Sequence, residues 1–405
     1  MNTKNTLFKL SGKVQHYQWG GYTFIPALLG IPNNEAKPFA EYWLGAHDNY
    51  PSAVIGAEPS FLNVHIQEDP GVLGKQVKQQ FGRLPYLLKV LDVKDMLSIQ
   101  VHPSRKMAVL EFEKENKAGI SLQDAKRNYK DDNHKPELML ALSDFWLLHG
   151  FKSEEGIREV IRAVKEFNFM LPLFDEGGYE KLYRTVMEME QEKVNEILQP
   201  LLDRIIPLYT SDALQKNRAD FWAARAAGTF KQPGIIDRGI FSVYLLNLVT
   251  LQKGEAIFQD AGVLHAYLEG QNMEIMANSD NVLRGGLTPK HIDVAELMKH
   301  VDFSATIPVV IKGTKIDDVE EVYFSPSADF QLSRLLLPTE QSTAITAATT
   351  EVFFLLAGVI EMKEGDNEGL RLEKGDAAVA FACADITIHC KVNAELFRAT
   401  VPLDA

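Results

Sequence analysis

The chain has 405 residues, 46% of them hydrophobic and 24% charged, the balance of a globular protein with room for two or three domains. A formal net charge of −13 argues against a general nucleic-acid binder, although a small anionic substrate would feel the local pocket rather than the net charge. Two cysteines, Cys383 and Cys390, are too few for a disulfide framework or a thiolate metal cluster and suit a reducing compartment. Met1 to Leu10 carries no apolar signal core, and no run approaches the roughly 20 apolar residues that span a bilayer. The expectation is a cytoplasmic protein with neither nucleic-acid nor membrane partners.

Residues 7–150 read as mostly β structure, broken early by Gly20-Gly21 and Gly30-Ile31-Pro32. The aromatic stretch Pro38 to His47 suits a buried strand, with His47 at its end in a structural, hydrogen-bonded role. Leu84 to Leu91 is a nearly continuous apolar strand interrupted by Lys89, which either snorkels to the surface or enters a polar cavity. Leu97 to Pro103 alternates strictly. Leu97, Ile99 and Val101 fall on one face and Ser98, Gln100 and His102 on the other, a pattern that a half-exposed strand would also produce. Ser104 to Asn116 has helical character, with Met107, Leu110 and Phe112 as its apolar positions, and the charged stretch to Asn133 reads as exposed. His134-Lys135-Pro136-Glu137 then leads into the apolar strand Leu138 to Leu142. A carboxylate at the head of such a strand needs a cation, hydrogen-bond donors or a metal. Phe145 to Phe151 reads as a further strand.

The period then changes. Ile157, Val160, Ile161, Val164 and Phe167, and later Val194, Ile197, Leu198, Leu201, Leu202 and Ile205, follow helical spacing. Residues 153–228 therefore read as a helical insert whose apolar stripes are packing faces. Its purpose is open between lid, spacer and partner surface. After Gly234 the β pattern returns, with Phe241 to Val249 as a long strand and Lys253-Gly254-Glu255 as a turn. The short strand, glycine turn and histidine-bearing strand that follow, up to Gly270, resemble a cupin-type jelly roll, whose strands carry polar ligands into a central cavity. Alternation groups His265, Tyr267 and Glu269. Residues 316–405 repeat the β flavour without an inward His/Glu set, and His389 beside Cys390 is structural. The expected fold is mainly β with a helical insert: a discontinuous catalytic barrel (1–152 and 229–315), the insert (153–228), and a second cupin-like barrel without metal (316–405).

The candidate metal ligands are Gln100, His102, Glu137 and His265. Two imidazoles, a carboxylate and an amide oxygen suit a borderline divalent ion such as zinc, although two His and one carboxylate also describe the facial triad of non-haem iron oxygenases. Arg284 precedes Gly285-Gly286, which let the backbone curve closely, and Lys290 follows. Together the two cations would hold an anion, unless the loop is simply solvated.

On these segments the chain resembles the type I phosphomannose isomerases. The resemblance rests on Ala40 to His47, Leu97 to Pro103, Lys135-Pro136-Glu137, Gly262 to Gly270 and Asn278 to Lys290. It implies an enzyme with one zinc ion per chain that interconverts mannose 6-phosphate and fructose 6-phosphate through a cis-enediol. It also implies Gln100, His102, Glu137 and His265 as metal ligands and Arg284 as the active-site arginine. Two departures are Gly285, where relatives often carry Ala, and Asp48, where they often carry Pro. Glu274 and Asp280 are competing candidates for the proton-transfer base. His134 with Lys135 is a candidate for assisting ring opening, and Lys89, Ser98 and Lys290 for holding phosphate or sugar hydroxyls. A monomer is expected. The competing readings are an oxidative iron enzyme and a sugar-binding cupin without activity.

Overall fold

Two antiparallel 11-stranded sheets form the scaffold, and a layer of helices covers part of the first. The structure is a computed structural model that describes residues 5–56, 60–124 and 126–403. Among the described residues no helix is long and apolar enough to cross a membrane.

Strand His265–Ala277 organises the first sheet. It pairs with Tyr86–Val93 on one side and with Glu137–Ala141 on the other, and its first residues turn to Phe145–Phe151 and Gln100–Val101. Period-two alternation sorts its neighbours. Leu88, Val90, Leu138, Leu140, Met273 and Ile275 share one core with Phe354, Val379 and Phe397 of the second sheet. The alternate residues Lys89, Glu137 and Glu274 therefore face the other way, into the first barrel. Its closed end is filled by Leu91, Met139, Phe145, Leu147 and Tyr267.

The helices Glu154–Ala163, Met170–Glu188, Gln191–Thr210 and Ala219–Thr229 place Ile157, Leu182, Val194, Leu198 and Trp222 in one core with Ile99, Val101, Leu264 and Leu268. The helical stripes thus cover the outer side of the strands whose other residues reach the barrel interior. Burying a side chain the size of Ile99 or Val101 stabilises the fold by roughly 1.5–3 kcal/mol, enough to fix which way the strand faces.

Several expectations change. Gly239–Leu245 is a helix and the strand begins only at Leu246–Leu251. Every residue of that helix is buried, so the run has no polar face from which a period could be read. The segment read as β also contains the short helices Phe24–Leu29, Leu62–Glu68 and Lys75–Gln80. Only Gln100–Val101 of the alternating stretch pairs as strand, and Leu97 packs in a different cluster from Ile99 and Val101. Helix Arg105–Lys117 is capped by the Ser104 hydroxyl, which accepts from Met107 N–H, but it buries Ala108 and Glu111 and leaves Leu110 54% exposed. A bulge between Tyr267 and Glu269 breaks the alternation there, and Glu269 turns out to Lys216 and Arg225. The boundary drawn for the first barrel is modified as well. Strand Leu7–Ser11 pairs with Ala377–Ala380 and Ala53–Ile55, so the start of the chain completes the second sheet.

Candidate metal centre and active site

His102, Glu137 and His265 are buried, and their ligand atoms lie within 4.8 Å of one another. The Glu137 carboxylate stands 3.3 Å from His102 Nε2 and 3.4 Å from His265 Nε2. Each imidazole is oriented from behind: His102 Nδ1 donates to Asn281 O at 2.8 Å and His265 Nδ1 to Val263 O at 2.9 Å. A carbonyl only accepts, so each Nδ1 carries a proton and each Nε2 is turned toward the carboxylate. Burial, with the Lys135 ammonium nearby, pulls His102 down to about 4 and keeps it neutral. His102 Nε2 is a buried atom without a hydrogen-bond partner. Two imidazole Nε2 atoms converging on one buried carboxylate, one of them with a bare lone pair, fit a divalent cation. Gln100 comes from the two-residue strand that pairs with His265 and with Arg284, and it lines the cavity outside this group.

That cavity, about 720 Å³, is lined by Ser98, Gln100, Lys89, Lys135, Asp280, Arg284 and Lys290, and by Tyr17, Trp19, Glu41 and Trp43. A larger cavity of about 820 Å³ over the helical layer takes in Asn195, Gln199, Tyr209 and Asp237, whereas the smaller one is lined by Lys135, which bonds Glu137, and by Gln100, which pairs with His265, so the chemistry lies in the smaller one. Lys135 Nζ sits 2.9 Å from Glu137 Oε1. Lys89 does not snorkel. Its ammonium lies 3.2 Å from Glu274 and 3.5 Å from Glu41, 4.8 Å above the Trp43 ring. Burial works against its charge, but the two carboxylates outweigh burial and push its pKa up.

The two base candidates separate. Glu274 is not among the cavity-lining residues. It is pinned between Lys89 and the Tyr267 hydroxyl, which donates to it at 2.7 Å, and burial with the nearby Glu137 charge pushes its carboxyl up. Asp280 lines the cavity and accepts from His47 Nε2 at 3.2 Å, while His47 Nδ1 accepts from Asn49 N–H. Burial alone would raise Asp280, but the His47 bond and the ammoniums of Lys135 and Lys89 hold it below the usual carboxylate range. Arg284 and Lys290 have no carboxylate partner among the described residues, and burial lowers both, Lys290 further through Arg284. His134 departs from its expected place: its Nε2 lies 2.9 Å from Asp329 of the second barrel, and it is not among the cavity-lining residues.

Sequence reading also missed a clamp. Asp131, in the stretch expected to be exposed, accepts from the Ser279 hydroxyl at 2.7 Å, from Asp280 N–H at 2.7 Å and from Asn281 Nδ2 at 3.2 Å. Asn281 in turn accepts from Lys130 N–H and bonds Asn133 O. One carboxylate thus sets both the carbonyl behind His102 and the backbone of Asp280. Only the turn chemistry of Ser279-Asp280-Asn281 hinted at it. Exchanging Asp131→Asn turns an amide NH₂ against one of these donors. Divalent-ion affinity, measured by chelator competition, is expected to fall about 10–100-fold; unchanged affinity would remove Asp131 from this role.

Fold and site together define a two-barrel, cupin-type protein with a buried His/Glu/His group able to hold a metal beneath a cation-rich cavity. Residues 7–154 match the family model "Phosphomannose isomerase type I, catalytic domain". The mannose-6-phosphate isomerase of Escherichia coli K12 is 35% identical over 91% of this chain and 93% of its own length, and that of Rattus norvegicus is 32% identical over 97% and 98%. The crystal structure of mannose 6-phosphate isomerase from Salmonella typhimurium, bound to its substrate f6p and zinc, superposes with a TM-score of 0.88 at 33% identity, covering 98% of this chain and 100% of that one. The chain belongs to the type I phosphomannose isomerases, the mannose-6-phosphate isomerases, and is an enzyme of that family.

Proposed function

We propose that the chain interconverts mannose 6-phosphate and fructose 6-phosphate with one bound zinc ion, through a cis-enediol. The observation that carries this reading is a single cavity in which Arg284 and Lys290, without counter-charges among the described residues, share the lining with Asp280, with Lys135, which bonds Glu137, and with Gln100, which pairs with His265. Gln100, His102, Glu137 and His265 would hold the ion, which when bound supplies Lewis-acid stabilisation of negative charge on the sugar oxygens. Lys290 binds the phosphate, with Ser98 and Lys89 toward the sugar hydroxyls. Asp280, held as a carboxylate by His47, takes the proton from the carbon beside the carbonyl and returns it to its neighbour. Arg284, paired through its backbone with Gln100, stands beside the metal ligands and stabilises the negative charge that develops on oxygen. Lys135, bonded to Glu137, is the cavity-lining cation left to assist ring opening. Glu274 keeps Lys89 in place.

A coupled assay with mannose 6-phosphate, before and after chelation and zinc return, tests the reading. Binding without conversion, or turnover indifferent to chelation, would defeat it. Arg284→Ala is expected to lower kcat by about 10²–10³-fold with zinc content unchanged; near-normal turnover would reject its role. The reading includes a monomeric enzyme, and the free Cys383 and Cys390 suit a cytoplasmic one.

A further inference from the structure

The loop that carries Arg284 and Lys290 is held by a residue outside the active cavity. Asp237 follows the link that leaves helix Ala219–Thr229. Its Oδ1 accepts from Leu287 N–H at 2.8 Å and from Gly239 N–H at 2.7 Å, and its Oδ2 accepts from Thr288 N–H at 2.9 Å. Leu287 has a φ of +53°, a conformation a leucine does not adopt unaided. The two backbones touch: a Cβ on Gly286 would meet Gly239 Cα at 2.4 Å, and one on Gly239 would meet Leu287 N at 2.5 Å. The carboxylate reaches the loop because both positions are glycine.

The segment leading into Asp237 is gripped by the helical layer. On helix Gln191–Thr210, Asn195 donates to Gly234 O at 2.7 Å and accepts from Ile236 N–H at 3.0 Å, while Gln191 donates to Ile236 O at 2.9 Å. On its other side, the loop is tied to the metal-bearing strand, since Ile99 N–H donates to Gly286 O at 3.0 Å and Gly285 N–H to Ile99 O at 2.8 Å. A path thus runs from a helix of the insert, by hydrogen bonds to Ile236 and across the Ile236–Asp237 peptide link, to the backbone between Arg284 and Lys290.

We infer that Asp237 is a positioning residue for the substrate's phosphate: it fixes the two-cation loop, and the helical insert is the buttress that holds it there. Two unpaired cations in one cavity repel each other, and a loop free to relax would let them move apart. Two charge-assisted bonds to the loop's backbone donors, with a third to Gly239 that fixes the carboxylate itself, prevent that before substrate arrives. The inference rests on Lys290 forming the phosphate site; Arg284, on the other side of Gly286, keeps its own backbone pairing with Gln100.

The test uses the full-length zinc enzyme, mannose 6-phosphate as substrate and inorganic phosphate as competitive inhibitor. In Asp237→Asn an NH₂ faces one of the three donors. The expected result is KM for mannose 6-phosphate and Ki for phosphate rising together by about tenfold, kcat changing by less than about threefold, and zinc content unchanged. Unchanged KM and Ki would overturn the inference, as would a fall in kcat accompanied by zinc loss, which marks general loosening. If Asp237→Asn fails to fold, Asn195→Ala, which leaves loop and carboxylate intact, decides by the same measurements: a smaller joint rise supports the inference and no rise overturns it. Lys290→Ala separates the two levels. If it leaves phosphate Ki unchanged, the anion-site reading falls and this inference with it. If it raises Ki while Asp237→Asn does not, only the role of Asp237 falls.

Discussion

Glu137→Gln is expected to abolish metal binding and turnover together. The substitution keeps the shape of the side chain and removes its charge. The carboxylate is the only anionic member of the proposed ligand set, and it lies 3.3 and 3.4 Å from the two imidazoles. Without it a divalent ion meets only neutral ligands. Removing a residue that merely orients a metal ligand costs roughly 10–100-fold in affinity or activity, and loss of the charged ligand itself is expected to exceed that. A second consequence falls on Lys135. Its side chain is 10% exposed and its carboxylate partner at 2.9 Å is Glu137. Leaving one member of a buried ion pair alone costs about 3–5 kcal/mol, so the metal-free variant is expected to melt well below the metal-free parent. Metal analysis after dialysis, thermal melts and the isomerase assay check the three effects. A variant that retains one zinc per chain and near-normal turnover would remove Glu137 from the site.

The second large effect is expected at Asp280. In Asp280→Asn the amide oxygen still accepts from His47, so geometry survives while the proton acceptor is lost. Turnover is expected to fall about 10²–10⁴-fold, with KM and zinc content little changed. Glu274→Gln should behave differently. It weakens the anchor of Lys89, which retains Glu41 at 3.5 Å, and so should lower thermal stability and raise KM more than it lowers kcat. Proton exchange at the sugar carbon in deuterated solvent provides the discriminating measurement. If Glu274→Gln stops exchange and Asp280→Asn does not, the base is Glu274 and the assignment reverses.

What the sequence alone determined was the chemistry carried by each stretch and the kind of element beneath it. Strict alternation marked Gln100 and His102 as sharing a face, a carboxylate heading an apolar strand marked Glu137, and helical spacing marked 153–228 as a packing unit; each signal is a local period of two or 3.6 residues. Tertiary structure alone decided which of those residues meet. The residues between Glu137 and His265 include the whole insert, and no period spans that distance. His47 reaches Asp280 across 233 positions and Asp131 reaches Asp280 across 149. Both pairs join loops, where no repeat records which side chain faces which. The partners of Glu274 and His134, Lys89 and Asp329, are likewise distant in the chain, and neither Glu274 nor His134 is among the residues that line the cavity. A strand pattern tells which face a residue occupies. Whether that face lines a cavity depends on charges and backbones brought up against it from elsewhere in the chain.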